Sequence, residues 1–258
     1  MLNVIENKTF TGEMKTIEIT ENTVIKHCQF INCLPGINDD VIRVIGKNVT
    51  VDIQYCTFDQ SFINPDQYDE IISAINGPTI NIYKSTFTGI GKVILCGNGD
   101  YPYSEEKTLN VNIKNCMFNK CSRRMPFFRY GTLYMDNCTF IDWGHTLYLK
   151  SAGIRLSSNA KGIISNCDFY MTKMIQSTFL NFIKDWIHQF TFEMYFTTDE
   201  LPNKNIFQKV FAIFKHPIRT LINILPGACK GIVCENTSKV KVINCKKNRW
   251  WIYLAHSL

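Results

Sequence analysis

Short stretches of alternating apolar and polar residues recur along the chain. Each reads apolar, any residue, apolar, two polar residues, Cys or Ser, any residue and Phe, and the clearest copies cover residues 51–58, 80–87, 111–118 and 133–140. Weaker copies cover residues 23–30, 162–169 and 240–247. The Cys or Ser falls at positions 28, 56, 85, 116, 138 and 167, so successive copies are 28, 29, 31, 22 and 29 residues apart. This period indicates an internal structural repeat.

Each copy predicts one short strand followed by a turn, because brief alternation is typical of a half-buried strand. One such strand cannot bury its own apolar face, whereas copies stacked in parallel about 4.8 Å apart can, with like side chains above one another. The sequence therefore predicts an all-β fold, a parallel β-helix with columns of Cys, Phe and Asn. A β-sandwich is the alternative, although its hairpins require turn signals about every 8 to 12 residues. The predicted Asn column contains Asn115, Asn137, Asn166 and Asn244.

The rest of the chain predicts loops, a cap and one further rung. Residues 34–39, 59–68 and 97–107 are rich in Gly, Asn, Asp and Pro, and we expect these loops to gather on one side of the stack and line a groove. Helical spacing of apolar residues after residue 170 predicts a partly helical C-terminal cap, and residues 239–245 predict another rung. We expect residues 1–169 to form the β-helix, and residues 170–258 to form a divergent cap and last rung of the same domain.

The composition limits the classes of partner and the cellular locations that fit this chain. The net charge of +6 favours a polyanionic partner, which could be nucleic acid, anionic lipid or acidic polysaccharide. The 11 cysteines are odd in number and form no CxxC pair, so they predict buried free thiols. No signal peptide and no apolar run of about 18 residues is visible. These features predict an intracellular protein, or one exported without a recognisable signal, that does not enter a membrane.

One basic segment stands out as a candidate for chemistry. Arg124 and Arg129 lie five residues apart across Pro126, and a strand-like run follows them. If that run is a rung, both guanidiniums project from its edge as planar cations suited to binding carboxylates. A solvated basic turn is the other interpretation.

Four segments in series resemble the pectate lyase family of polysaccharide lyases, which includes plant pollen allergens. They read DEIISAING at residues 69–77, TINI at 79–82, KVILCGNGD at 92–100 and RMPFFRYG at 124–131. They are similar to the acidic strand, the lysine strand with its glycine loop and the Arg-x-Pro-x-x-Arg signature of that family, in the same order. The resemblance covers about residues 38–169. It implies a right-handed, single-stranded parallel β-helix that cleaves polygalacturonate by β-elimination.

The resemblance also implies roles for three cations. Arg124 would take the proton from C5 of the uronate, while Lys92 and Arg129 would hold its carboxylate and stabilise the developing negative charge. This chemistry is coherent, because neutralising the carboxylate makes the C5 proton more acidic. Crowding by Lys92, Arg129 and a metal ion would lower the pKa of Arg124, which a guanidinium needs in order to act as a base.

The implied cofactor is Ca²⁺, and here the chain departs from the family. The matching ligands are Asp40, Asp69 and Ser73, and Ser73 stands where an Asp is expected. Glu70 or Asp39 could compensate, since Ca²⁺ binds carboxylate, hydroxyl and carbonyl oxygens. A second departure lies at residues 54 and 55, where Gln and Tyr replace the acid and histidine that the family often has.

Two functions remain open from the sequence. The first is a Ca²⁺-dependent, pectate-lyase-like enzyme that cleaves a uronate-containing polysaccharide. The second is a catalytically inactive β-helix protein that binds acidic polysaccharide or has a structural or interaction role. For either function we expect a monomer with a polygalacturonate-like partner and no membrane partner. Nucleic acid is disfavoured because the basic residues are not interleaved with exposed aromatic residues on one face, as single-strand binders require.

Overall fold

The computed structural model describes residues 2–64, 67–97, 108–143, 152–157, 159–170, 230–234, 238–247 and 253–256. These residues form strands and turns in three sheets in which every pair of neighbouring strands is parallel. Each rung of the chain adds one strand to each sheet in turn. The predicted parallel β-helix is confirmed and the β-sandwich is excluded.

Each sheet contains eight strands. Sheet 1 consists of β1 (Asn3–Glu6), β4 (Thr23–Lys26), β7 (Thr50–Gln54), β10 (Thr79–Tyr83), β13 (Asn110–Lys114), β16 (Thr132–Asp136), β19 (Lys161–Ser165) and β22 (Lys239–Ile243). Sheet 2 consists of β2 (Thr9–Glu13), β5 (Gln29–Leu34), β8 (Thr57–Asp59), β11 (Thr86–Thr88), β14 (Met117–Asn119), β17 (Thr139–Ile141), β20 (Asp168–Tyr170) and β23 (Lys246–Lys247). Sheet 3 consists of β3 (Ile17–Ile19), β6 (Ile42–Ile45), β9 (Ile72–Ile75), β12 (Ile94–Cys96), β15 (Phe127–Phe128), β18 (Ala152–Leu156), β21 (Lys230–Cys234) and β24 (Tyr253–His256).

The sequence repeat places the same residue type at the same point of every rung. Its two apolar residues point inward from sheet 1, and its Phe points inward from sheet 2. The stacked rings have centroids 4.6 to 5.0 Å apart and planes within 9° of parallel, which confirms the predicted Phe column. This column contains Phe10, Phe30, Phe58, Phe87, Phe118, Phe140 and Phe169.

The first corner, between sheets 1 and 2, has two residues in every rung. The first of the two is always left-handed, with φ between 46° and 56°. Asn tolerates this conformation, and Asn137 Nδ2 donates to Asn115 Oδ1 at 2.6 Å, so the predicted Asn column is confirmed. The second residue is Cys or Ser in seven of the eight rungs, and the nine cysteines whose side chains the structure describes are free. The left-handed residues are Asn7, His27, Tyr55, Lys84, Asn115, Asn137, Asn166 and Asn244.

The C-terminal segment continues the stack where it is described. Strand β22 pairs in register with β19, so the rung predicted at residues 239–245 is confirmed. The helices predicted after residue 170 lie outside the described residues. Within the part of the chain that the structure describes, no helix is long and apolar enough to cross a membrane.

Candidate functional site

The outer face of sheet 3 carries the residues singled out in the sequence. Alternation along its strands places one residue of each rung on this face, in register with the next rung. We call these residues the floor row: Glu18, Arg43, Ser73, Leu95, Phe127 and Arg155. Five further candidates come from the turns that lead into sheet 3, and a sixth directly follows β15: Asp40, Asp69, Glu70, Lys92, Arg124 and Arg129.

The second corner, between sheets 2 and 3, contains two of the three predicted loops. Residues 34–39 and 59–68 lie at this corner, whereas residues 97–107 connect sheet 3 to sheet 1. The expectation that all three loops gather on one side stays a prediction, because most of the third loop lies outside the described residues. Residues 98–107 lie outside the described residues.

Three carboxylates converge at the second corner. One oxygen each of Asp40, Asp69 and Glu70 lies within 4.8 Å of the other two. The backbone of Glu70 donates to Asp40 Oδ1 at 3.1 Å, and Ser73 Oγ donates to Asp40 Oδ2 at 2.6 Å. The four residues of the expected calcium site are therefore together, and Ser73 orients one of the carboxylates.

Each of these carboxylates also contacts a cation. Arg43 Nε donates to Asp40 Oδ2 at 2.8 Å, Lys92 is hydrogen-bonded to Asp69, and Arg124 forms an ion pair with Glu70. Asp40 and Glu70 are almost fully buried, and burying an unpaired charge is costly. The pairing of three negative with three positive groups therefore explains how this cluster is tolerated. Sequence reasoning did not include Arg43.

The acid cluster fits a calcium ion. Two oxygens bound to one Ca²⁺ at about 2.3–2.6 Å can be about 5 Å apart, so a 4.8 Å spread is compatible with one shared ion. Glu70 is 1% exposed, yet no donor among the described residues hydrogen-bonds to its Oε2. A buried carboxylate oxygen that lacks a donor is suited to a cation.

Arg124 lies on a bulge. Lys92 pairs with Arg123, but Leu95 pairs with Phe127, so the rung that contains Arg124 has one extra residue. Arg124 is left-handed at φ 62°, a conformation that costs an ordinary residue about 1–2 kcal/mol. Bulges redirect side chains, and this one directs Arg124 towards Glu70.

Burial lowers the pKa of Arg124 from its ordinary value. The positive charges of Arg129 and Arg155 lower this pKa further, and the negative charge of Asp69 opposes them. The sequence predicted crowding by Lys92 and Arg129, whereas burial is the larger cause and Arg155 a further one. Arg155 is therefore a residue that sequence reasoning missed.

The arginines meet at one aromatic ring. The guanidinium carbons of Arg124, Arg129 and Arg155 lie 5.9, 5.0 and 4.6 Å from the centroid of Phe127. Arg129 also donates to the carbonyl of Gly97 at 3.2 Å. Arg155 lies 28 residues after its partner Phe127, which is one repeat length, so the period of the sequence was a signal that could have located it.

Gln54 and Tyr55 are not part of this cluster. Gln54 ends β7 of sheet 1, and Tyr55 is the left-handed residue of the first corner, 45% exposed and stacked on His27 at 5.1 Å. The chemistry available at sheet 3 is therefore an acid cluster that could hold a metal beside a group of arginines that could bind carboxylates. No protein-family model matches the chain, and no curated protein matches it.

Proposed function

We propose that this chain is a pectate-lyase-like enzyme that cleaves a uronate-containing polysaccharide by β-elimination. The observation that carries the proposal is the setting of Arg124, a partly buried arginine on a left-handed bulge, with a lowered pKa, between an acid cluster and two further arginines. A conformation that costs free energy is tolerated where function requires it. The resemblance of residues 38–169 to pectate lyases supports the same role.

Arg124 would act as the base. A guanidine nitrogen would take the proton from C5 of the uronate, the C–H electron pair would form the C4–C5 double bond, and the glycosidic oxygen would leave C4 and be protonated by water. Arg124 would have to separate from Glu70 and lose its proton before this step. Its burial and the nearby charges of Arg129 and Arg155 favour the neutral form, because each of them lowers the pKa.

The other cations would hold the substrate carboxylate. Lys92 and Arg129 border Arg124, and Arg155 shares the ring of Phe127 with both arginines. A carboxylate bound by these groups loses much of its negative charge, so the adjacent C5 proton becomes easier to remove. Arg155 lies in β18, and Lys92 and Arg129 lie next to β12 and β15, so sheet 3 fixes the backbone from which each cation extends.

Asp40, Asp69 and Glu70 would hold Ca²⁺, with Ser73 and Arg43 orienting Asp40. When bound, the ion supplies positive charge that neutralises the uronate carboxylate. If Glu70 served as a ligand, its ion pair with Arg124 would be weakened, and Arg124 would be able to turn towards the substrate.

The second candidate is a non-catalytic protein that binds acidic polysaccharide. The charge balance of the cluster favours it, since three cations already neutralise the three carboxylates and Ser73 adds no charge. In this case the arginines would bind carboxylates without a metal and without cleavage.

The test is ultraviolet absorbance of the unsaturated product after the protein is mixed with polygalacturonate, pectin or alginate, with Ca²⁺ or with a chelator. We expect absorbance to rise with at least one polymer, to require Ca²⁺, and to be lost in Arg124→Ala. Arg123→Ala is the matched control, because it removes the preceding arginine on the same turn. A flat trace from folded protein with every polymer would reject the lyase. Calorimetric binding of trigalacturonate in the presence of chelator would then support the binding protein.

A further inference from the structure

Phe127 is an outward-facing residue that is nearly buried. It belongs to the floor row between Leu95 and Arg155, where a side chain should point outward from sheet 3, yet only 7% of it is exposed. The three guanidiniums within 6 Å of its ring account for this burial. The Arg-x-Pro-x-x-Arg signature specifies Arg124, Pro126 and Arg129, and it leaves position 127 open.

Three guanidiniums in this space repel one another. The ion pair with Glu70 and the hydrogen bond to Gly97 offset part of this repulsion for Arg124 and Arg129, and all three guanidiniums share the ring of Phe127. An aromatic ring attracts cations to its negative face within about 6 Å, and planar guanidinium groups also stack on aromatic faces. All three distances at Phe127 lie within this limit. An aliphatic side chain of similar size would fill the same space without this attraction.

We propose that Phe127 is a positioning residue that gathers Arg124, Arg129 and Arg155 into one anion-binding cluster. The cluster depends on the aromatic ring of Phe127. Arg155 is the third arginine of this cluster. The identity of the anion, a uronate carboxylate, rests on the proposed function, whereas the gathering of the arginines does not.

The first test observes the arginines directly. The side-chain Nε–Hε proton resonances of the three arginines should be shifted by the ring current of Phe127 in the NMR spectrum of the whole protein. These shifts should disappear in Phe127→Leu and in Phe127→Met, and they should persist in Phe127→Tyr. Two aliphatic variants are used so that, if one of them does not fold, the other can still be measured. Shifts that are absent from the wild type, or unchanged in the folded aliphatic variants, would overturn the proposal.

The second test measures binding and catalysis with the same variants. Calorimetry with trigalacturonate should show affinity that is weaker by about tenfold in Phe127→Leu and within about threefold of wild type in Phe127→Tyr. For the lyase reaction the Leu variant should raise KM and lower kcat, because it displaces both the carboxylate-binding arginines and the base. Equal affinities for the Leu and Tyr variants would also overturn the proposal.

The two proposals fail in different ways. A wild-type protein that neither binds nor cleaves the trimer rejects the proposed function, while the arginine resonances still decide whether Phe127 gathers the guanidiniums. Conversely, the protein could cleave the polymer while Phe127→Leu changes neither the arginine chemical shifts nor KM. That result would support the proposed function and reject the role of Phe127.

Discussion

The first and second corners of the β-helix differ in regularity. At the first corner every rung uses two residues, and the first of them is always left-handed. At the second corner the connections contain 3, 7, 12, 5, 7 and 10 residues in the six rungs from β2–β3 to β17–β18. Constant geometry lets side chains stack in columns, whereas variable length lets each rung present a different group.

The two corners accordingly use left-handed residues for different purposes. At the first corner the conformation belongs to the repeat, and Asn occupies it in five of eight rungs with little cost. At the second corner Lys120 and Asp142 also adopt it directly after a strand, whereas Arg124 adopts it on a bulge, where it directs a guanidinium to a buried carboxylate. Stability therefore resides in the columns, and the candidate chemistry resides in the irregular connections.

The largest effect should come from breaking a column. Phe118 is fully buried, and its ring lies 5.0 Å from that of Phe87 and 4.9 Å from that of Phe140. Phe118→Ala should lower the free energy of unfolding by about 3–5 kcal/mol, because it leaves a cavity between two rings. Urea denaturation followed by circular dichroism measures this.

The matched control is Phe62→Ala at the second corner, where the side chain is 88% exposed. We expect it to change the free energy of unfolding by less than about 0.5 kcal/mol. A cost for Phe118→Ala as small as that of the control would mean that the Phe column does not stabilise the stack.

A smaller effect should follow from unbalancing the charge cluster. Glu70→Gln leaves Arg124 partly buried beside a neutral amide, and we expect a loss of about 2–3 kcal/mol in the free energy of unfolding without metal. The same variant should bind Ca²⁺ more weakly by calorimetry, because it removes one of three anionic ligands. Combining it with Arg124→Gln should recover part of the lost stability.

Asp39→Asn is the control for this variant. Asp39 is 52% exposed and 3.7 Å from Arg43, so removing its charge should cost less than about 0.5 kcal/mol. If Glu70→Gln lowers the free energy of unfolding as little as Asp39→Asn does, burial of the charge cluster does not affect stability.

The regular corner was predictable from the sequence and the irregular one only in part. The repeat period predicted the strand positions, because a column requires the same residue type in every rung. Phe58 and Phe87, which pair in register and stack, are an example. Arg129 was also identified from the basic segment before a strand, and Lys92 from the resemblance to pectate lyases. The structure places Lys92 just before β12, hydrogen-bonded to Asp69, and Arg129 directly after β15.

The missed residues depend on register between rungs. Neighbours in the floor row are separated by 30, 22, 32 and 28 residues from Arg43 to Arg155, since the loops between them differ in length. The 28-residue step from Phe127 to Arg155 matches the repeat, but the steps of 22 and 32 residues do not, so the period gives no general rule for the floor row. The bulge at Arg124 adds one residue to one rung only, and alternation in the sequence does not reveal where such an insertion falls.

The smallest effect should come from a polar group at the edge of the first corner. Asp136 accepts hydrogen bonds from Ser165 Oγ at 2.7 Å and from Asn166 Nδ2 at 2.8 Å, and these bonds hold its pKa below the ordinary value. Because the folded pKa is the lower one, this contribution to stability is fully present above the unfolded pKa of about 4 and is lost as pH falls through the folded pKa. Asp136→Asn should therefore flatten the fall of Tm between about pH 5 and pH 2 slightly, and leave its slope near neutral pH unchanged. An acid profile identical to that of the wild type would show that these exposed hydrogen bonds add nothing to the stability of the corner.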